Sequence, residues 1–239
     1  MLTQYRHCTA ILFDSGDTLD RPCTGHWFLP PRYCELLGED VLRALERQPE
    51  AFENAAQHAG QYLDANHLAL TEAAEYAQFQ QFYTLLFSCW GFAVADTTIT
   101  ALAADAVYND DKFVFFDDVS PVLERLHGNY RLGVVSDTWP SLERVFINQG
   151  LRHYFATFVM SSMHGVWKAE PTLFHIALQE LQIPAEQAIF IDDSVSNLTV
   201  AASIGLRPLL MDRYGRVGEH DDFPVIRSLA ELLVILPGI

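Results

Sequence analysis

Residues 188–205 read AIFIDDSVSNLTVAASIG, and this stretch decides the fold. Residues 188–191 form a short apolar run of strand length that ends on Asp192, Asp193 and Ser194. Residues 195–204 then carry a helical pattern that Gly205 closes. A buried strand, polar groups at its carboxyl end and a helix that follows at once make one βα unit. The same texture recurs on both sides. Apolar runs at residues 130–135, 155–160 and 207–211 alternate with helices that open at Ser120-Pro121, Pro140 and Pro171, and residues 229–236 finish the pattern. Strands that alternate with helices belong to a parallel sheet. One further buried run, residues 9–13, ends at Asp14.

The texture is different between residues 20 and 109, where no convincing strand is found. Tyr76, Phe79, Tyr83, Phe87 and Trp90 recur at three- and four-residue steps before Gly91, the mark of an amphipathic helix and its stop. At that spacing Phe79, Phe82 and Trp90 read as the interior of a helical module rather than as pocket lining. The expected fold is therefore α/β: a three-layer Rossmann-like core with a parallel sheet, residues 1–19 and 113–239, and an inserted α-helical domain, residues 20–112. Hinges are expected near residues 19–23 and 108–113.

The chain has 239 residues, half of them apolar, and a formal charge of −16 with no basic run. That charge opposes the counterion release on which nucleic-acid binding rests, and it suits anionic membranes no better. The expected partner is a small molecule, with no nucleic acid and no membrane, and the protein a monomer or homodimer. Cys8, Cys23, Cys34 and Cys89 lack paired CxxC spacing, which favours reduced thiols over zinc ligands or disulfides. No early apolar stretch reaches signal-peptide length and no later one reaches membrane-span length, so a cytoplasmic location is expected.

Ligands of open parallel sheets sit beyond the carboxyl ends of the strands. That edge is expected to collect Asp14, Ser136, Lys168 and the Asp192-Asp193 pair. Each has an ordinary reading alone: Ser136 as a turn residue, Lys168 as a solvated charge, Asp192 or Asp193 as a helix cap. Together, in order and each at a strand end, they point to a site for Mg2+ and a phosphate-like anion. Lysine is scarce: Lys112 and Lys168 are the two in the chain, so a lysine-dependent chemistry has two candidates.

Four ordered segments carry a resemblance. They are Ile11-Leu12-Phe13-Asp14-Ser15-Gly16-Asp17-Thr18-Leu19, Leu132-Gly133-Val134-Val135-Ser136-Asp137, Gly165-Val166-Trp167-Lys168-Ala169-Glu170-Pro171, and Ile189-Phe190-Ile191-Asp192-Asp193-Ser194 with Asn197, Ala201 and Gly205. The chain resembles the haloacid dehalogenase-like hydrolase superfamily, and its inserted module is similar to the C1-type cap. The resemblance implies that Asp14 is a nucleophile and a metal ligand, and that Ser136 and Lys168 are catalytic. It also implies that Ser15, Ser136, Asp137 and Lys168 face the substrate, and that Asp14, the Gly16 carbonyl, Asp192 and Asp193 hold Mg2+. A small phosphorylated or otherwise anionic metabolite is the implied substrate, hydrolysed through an aspartyl-phosphate. Independently of the family, an aspartate attacking a phosphoryl dianion needs positive charge beside it, which Mg2+ and Lys168 would supply.

One departure matters. Phosphatases that resemble this chain carry a second aspartate where Gly16 stands, and it moves the proton of the leaving group. Positioned acid–base catalysis is worth on the order of 10²–10⁴ in rate, so alkyl-ester hydrolysis is expected to be weak. Asp17 and His26 are the candidate substitutes, with a loop-holding hydrogen bond as the ordinary reading of Asp17 and a satisfied histidine as that of His26. Arg21 and Arg32 read more readily as solvated charges. The alternatives are a catalytically weak metabolite-binding protein, a dehalogenase, which the retained Asp192-Asp193 argues against, and a phosphonatase-like hydrolase, for which Lys112 would be the lysine.

Overall fold

The computed structural model describes residues 5–236. Its strands are β1 (Ala10–Phe13), β2 (Asp20–Pro22), β3 (Phe113–Phe115), β4 (Arg131–Ser136), β5 (Phe155–Met160), β6 (Ala188–Asp192), β7 (Arg207–Met211) and β8 (Val225–Ile226). Its helices are α1 (Tyr33–Leu36), α2 (Glu39–Arg47), α3 (Pro49–Ala65), α4 (Glu72–Trp90), α5 (Asp96–Tyr108), α6 (Val119–Leu126), α7 (Ser141–Asn148), α8 (Thr172–Leu181), α9 (Val195–Ser203) and α10 (Leu232–Ile235).

The chain divides into two compact units. One comprises the residues up to Arg21, Phe115–Thr138 and those from Leu142 onward. It is built on a six-stranded sheet in the order β5-β4-β1-β6-β7-β8, all parallel, with helices on both faces. Every residue of β1 is buried, because β1 sits at the centre between β4 and β6. From β1 the chain builds outward through β4 to β5, then returns to the other side of β1 for β6, β7 and β8. The strand order thus reverses at the β1/β6 boundary, the kind of crevice in which open α/β sheets bind ligands. Close packing continues along β4: a Cβ added to Gly133 would collide with Thr157 Cγ2 and Leu12 Cδ2. One layer of core, with Phe174, Leu178, Phe190 and Leu198 among its members, lies between this sheet and its helices.

The second unit comprises Pro22–Val114 and Trp139–Ser141. Its core is the buried stripe of α3, α4 and α5, including Phe52, Leu63, Phe79, Phe82, Tyr83, Leu86 and Leu102. Helix α4 begins at Thr71, whose side chain accepts from Ala74 N–H, and ends at Gly91, whose φ of 84° is the left-handed conformation glycine adopts without strain. Phe79 and Phe82 are interior residues, and Trp90 packs against the same cluster.

Two features differ from the sequence-based expectation. Residues 20–109 do contain a strand, β2, which pairs with β3 in a two-stranded sheet. Each has three residues, too few to show a period, and Pro22 masks the first. Trp139–Ser141 belong with the helical unit although they lie far along the chain from it. Residues 229–236 form a short 3-10 turn and α10 opened by a Ser228/Glu231 capping box. Among the described residues, no helix is long and apolar enough to cross a membrane.

Candidate active site

The pairing of β1 with β6 sets Phe13 opposite Ile191, so Asp14, just past β1, and Asp192, the last residue of β6, stand side by side at the sheet edge. The Asp14 N–H donates to the Ile191 carbonyl at 2.9 Å, which fixes this register one residue past the strand. Lys168 arrives from the loop after β5 and is 1% exposed. Its ammonium donates to Asp14 Oδ1 at 2.6 Å and to Asp192 Oδ2 at 2.7 Å. Its own N–H donates to Asp137 Oδ1 at 2.9 Å, so one lysine ties together the ends of β1, β4 and β6.

Asp192 is further held by the N–H of Ser194 at 2.7 Å and by Asn197 Nδ2 at 3.2 Å. Ser194 in turn caps α9, its side chain accepting from the Asn197 N–H. Ser136 is buried, ends β4 and pairs with Met160 of β5. Ligand oxygens of Asp14, Asp192 and Asp193 all lie within 4.8 Å of one another.

Negative charge is in excess here. Burial raises the Asp14 carboxyl well above the usual carboxylate range, Lys168 counters this in part, and Asp192 and Asp193 add to it. Asp193 stands at the exposed edge in surface area, yet the protein around it thins its hydration, and with Asp192 and Asp17 nearby its carboxyl is pushed up to about 6. Burial likewise raises Asp137, with Lys168 opposing. Burial would lower the Lys168 ammonium, but Asp14, Asp192 and Asp137 more than offset it and hold the lysine protonated. Four carboxyl groups around one ammonium, three of them offering oxygens to a common point, fit a hard divalent cation that takes oxygen ligands.

The segment after Asp14 is a tight turn. The Ser15 carbonyl accepts from the N–H groups of Thr18, Leu19 and Asp20. The Ser15 hydroxyl, expected to face a substrate, instead donates to Asp20, which is itself buried. Gly16 is half-buried and bridges to Asp20 through its backbone. Asp17 takes the left-handed conformation at φ 53°, and its Oδ1 accepts from Tyr214 Oη at 2.8 Å. Arg213 grips the neighbouring Thr18 carbonyl through Nε at 3.1 Å and Nη2 at 2.7 Å, and pairs with Asp118 at 2.8 Å. Sequence reasoning missed Arg213 and Tyr214, because they follow β7 in a loop with no period or motif to mark them.

The remaining candidates lie in the helical unit or next to it. His26 Nδ1 accepts from the Phe28 N–H at 3.1 Å and its Nε2 lies 3.3 Å from Glu53 Oε2. Arg32 is paired with Glu35 at 2.8 Å. Lys112 is buried, its ammonium 5.2 Å from the Phe79 ring centre and 5.4 Å from that of Phe113.

A profile of the haloacid dehalogenase-like hydrolases matches residues 8–205, and the chain belongs to that family. A glyceraldehyde 3-phosphate phosphatase of Methanopyrus kandleri is 32% identical over 100 residues, which is 38% of this chain and 41% of that protein. The chain spans about half the length, or less, of curated relatives that it matches. Among solved structures, the putative HAD-hydrolase YfnB of Bacillus subtilis bound to magnesium superposes with a TM-score of 0.69 at 16% identity, covering 98% of this chain and 100% of that one. A 2-haloacid dehalogenase of Pseudomonas syringae gives 0.63 at 20% identity, over 95% and 97% of the two chains. At such identities these structures speak for the fold.

Proposed function

We propose that this protein is a Mg2+-dependent phosphohydrolase of small phosphorylated metabolites, in which the carboxylate of Asp14 takes the phosphoryl group. The observation that carries this reading is the Lys168 ammonium, set 2.6 Å from Asp14 and 2.7 Å from Asp192 at the point where the strand order reverses. Asp14, one or both of Asp192 and Asp193, and the Gly16 carbonyl would hold Mg2+, which supplies positive charge against the phosphoryl oxygens. Lys168 favours the ionised form of Asp14 and aims it, and its remaining proton can bond to a phosphoryl oxygen. Ser136 donates a second hydrogen bond to that group.

The Asp14 oxygen forms a bond to phosphorus as the bond from phosphorus to the leaving oxygen breaks. Water then attacks phosphorus, releasing phosphate and restoring the Asp14 carboxylate. Gly16 offers no proton donor to the first step and no proton acceptor to the second, so the leaving group must depart with little help and the attacking water must pass its proton to a phosphoryl oxygen or to solvent. Acyl phosphates, whose leaving group is a stable carboxylate, are the favoured class of substrate, and alkyl phosphates react slowly. The helical unit serves as a cap that selects the metabolite. The glyceraldehyde 3-phosphate phosphatase relative supports the phosphoryl reading, and the magnesium bound to YfnB supports the metal.

Gly16 also supports a second reading, a metabolite-binding protein that retains the anion site with feeble turnover. Acetyl phosphate, p-nitrophenyl phosphate and glycerol phosphate, each assayed with and without Mg2+, separate the two. Mg2+-dependent turnover in the order acyl, aryl, alkyl, with a phosphoryl adduct on Asp14 in rapidly quenched samples, is expected. Phosphate binding without turnover of any of the three would favour the binding protein, and turnover insensitive to EDTA would remove the metal from the mechanism.

A further inference from the structure

Glu75 lies in the first turn of α4, where an acid is ordinarily a solvated partner of the helix dipole, yet it is 1% exposed. Its two oxygens are engaged by one residue: the Ser141 N–H donates to Oε2 at 2.8 Å and the Ser141 hydroxyl donates to Oε1 at 2.7 Å. One turn further along α4, Gln78 Oε1 accepts from Trp139 Nε1 at 2.8 Å. The Trp139 ring stands edge-on to Phe79, centres 5.3 Å apart, and to His67 at 5.2 Å. A buried carboxylate is costly unless bonded, so α4 carries a group whose stability depends on keeping Trp139–Ser141 in place.

Trp139–Ser141 follow directly on the second strand end of the site. Asp137 and Thr138 alone separate Trp139 from Ser136, and three residue steps reach at most about 10 Å. Asp137 accepts the Lys168 N–H, and Thr138 is fixed on its other side by Ser161 Oγ at 2.8 Å and by the Ser162 N–H at 3.1 Å. We propose that Glu75 is a positioning residue, which through Ser141, with Gln78 acting on Trp139, fixes the turn that presents Ser136 and Asp137 to a phosphoryl group. This rests on the reading of Ser136 as a phosphoryl-binding residue.

The test uses the full chain with Glu75→Leu, Glu75→Gln and Trp139→Phe. Acetyl phosphate KM and kcat, the vanadate inhibition constant and amide hydrogen exchange are measured in Mg2+. Glu75→Leu removes both acceptors, and the loss of two buried bonds to the turn is expected to raise KM and the vanadate constant about ten-fold, with kcat changed less than about three-fold. Exchange in residues 136–141 and at the Lys168 N–H should quicken by a similar factor, while β7 is unchanged. Glu75→Gln keeps an acceptor for the Ser141 N–H and gives its hydroxyl a donor, so it should stay within about two-fold of the parent.

A folded Glu75→Leu protein with parental KM and exchange would overturn the proposal, as would Glu75→Gln matching the leucine variant. If Glu75→Leu does not fold, Trp139→Phe decides: it removes the indole N–H that Gln78 accepts, together with part of the ring, and should raise KM and exchange about three-fold. No change there would equally overturn it. Should the parent turn over no phosphate, the phosphohydrolase reading fails, and the exchange measurements still decide whether Glu75 holds this turn.

Discussion

The Tyr214 hydroxyl lies 2.8 Å from Asp17 Oδ1, joining the acid beside Gly16 to a loop 197 residues away. Asp17 holds this bond from a left-handed backbone at φ 53°. That conformation suits glycine and carries strain of about 1 kcal/mol in most other residues. The order Gly16-Asp17 therefore sets the residue without a side chain where a proton donor is wanted, and the residue with one where glycine fits best.

Exchanging the two should therefore repair the site. The double variant Gly16→Asp/Asp17→Gly is expected to raise kcat on alkyl phosphates by about 10²-fold, the lower end of what a positioned acid supplies. The rate at which acetyl phosphate phosphorylates Asp14 should change little, since its leaving group needs no proton, while the hydrolysis step shared by all substrates should quicken. Tyr214→Phe in the parent tests the complementary point. If Asp17 holds the loop, this variant loses about 1 kcal/mol of stability in urea unfolding, with the ratio of alkyl to acyl turnover unaltered.

Lys168 is the cation that allows Asp14 and Asp192 to lie buried together. Lys168→Met preserves much of the side-chain volume and removes the charge. Leaving buried carboxylates without their partner costs about 3–5 kcal/mol, which urea unfolding at pH 7 would register directly. Activity should fall by at least about 10²-fold, since an electrostatic stabiliser of the reacting group is lost. A stable variant with parental kcat would mean that the lysine merely fills space.

Metal binding can be read without turnover. At a Mg2+ concentration of about 100 times Kd, ligand linkage stabilises the folded state by about 2.7 kcal/mol. Thermal unfolding of the parent should shift upward with Mg2+, and Asp193→Asn should reduce the shift. Asp193 suits this test because its side chain is exposed and the bond network of Asp192 stays intact. An equal shift in parent and variant would remove Asp193 from the ligand set.

The sequence made the strand ends legible because each apolar run stops on a polar residue, and parallel topology aligns those stops along one edge. Asp14, Lys168 and Asp192 were accordingly predictable as a group, and the structure brings them into contact. The Gly91 stop of α4 was legible for a local reason, its positive φ. What escaped notice depends on contacts distant in sequence. Arg213 reaches Thr18 across 195 positions, and Glu75 reaches Ser141 across 66. Neither leaves a periodic trace, and an acid in the first turn of a helix looks like an ordinary surface group. Strand β2 was lost for lack of length, since three residues cannot display alternation.

Glu75 also makes a pH-dependent claim. Burial, opposed by its bonds to Ser141 and by Lys112, with Glu72 adding to the rise, pushes its carboxyl up from 4.5 to about 7. The folded state then binds a proton more tightly than the unfolded chain does. Between pH 4.5 and 7 the folded protein holds more protons, so this group's contribution to stability falls as pH rises and is at its least favourable above 7. The difference amounts to about 3 kcal/mol at full ionisation. Glu75→Gln cannot ionise, so the gap in unfolding free energy between variant and parent should widen from pH 5 to pH 8 in the variant's favour. A gap that stays constant across that range would show that Glu75 titrates alike in the folded and unfolded chains, and that its burial is compensated in full by Ser141 and Lys112.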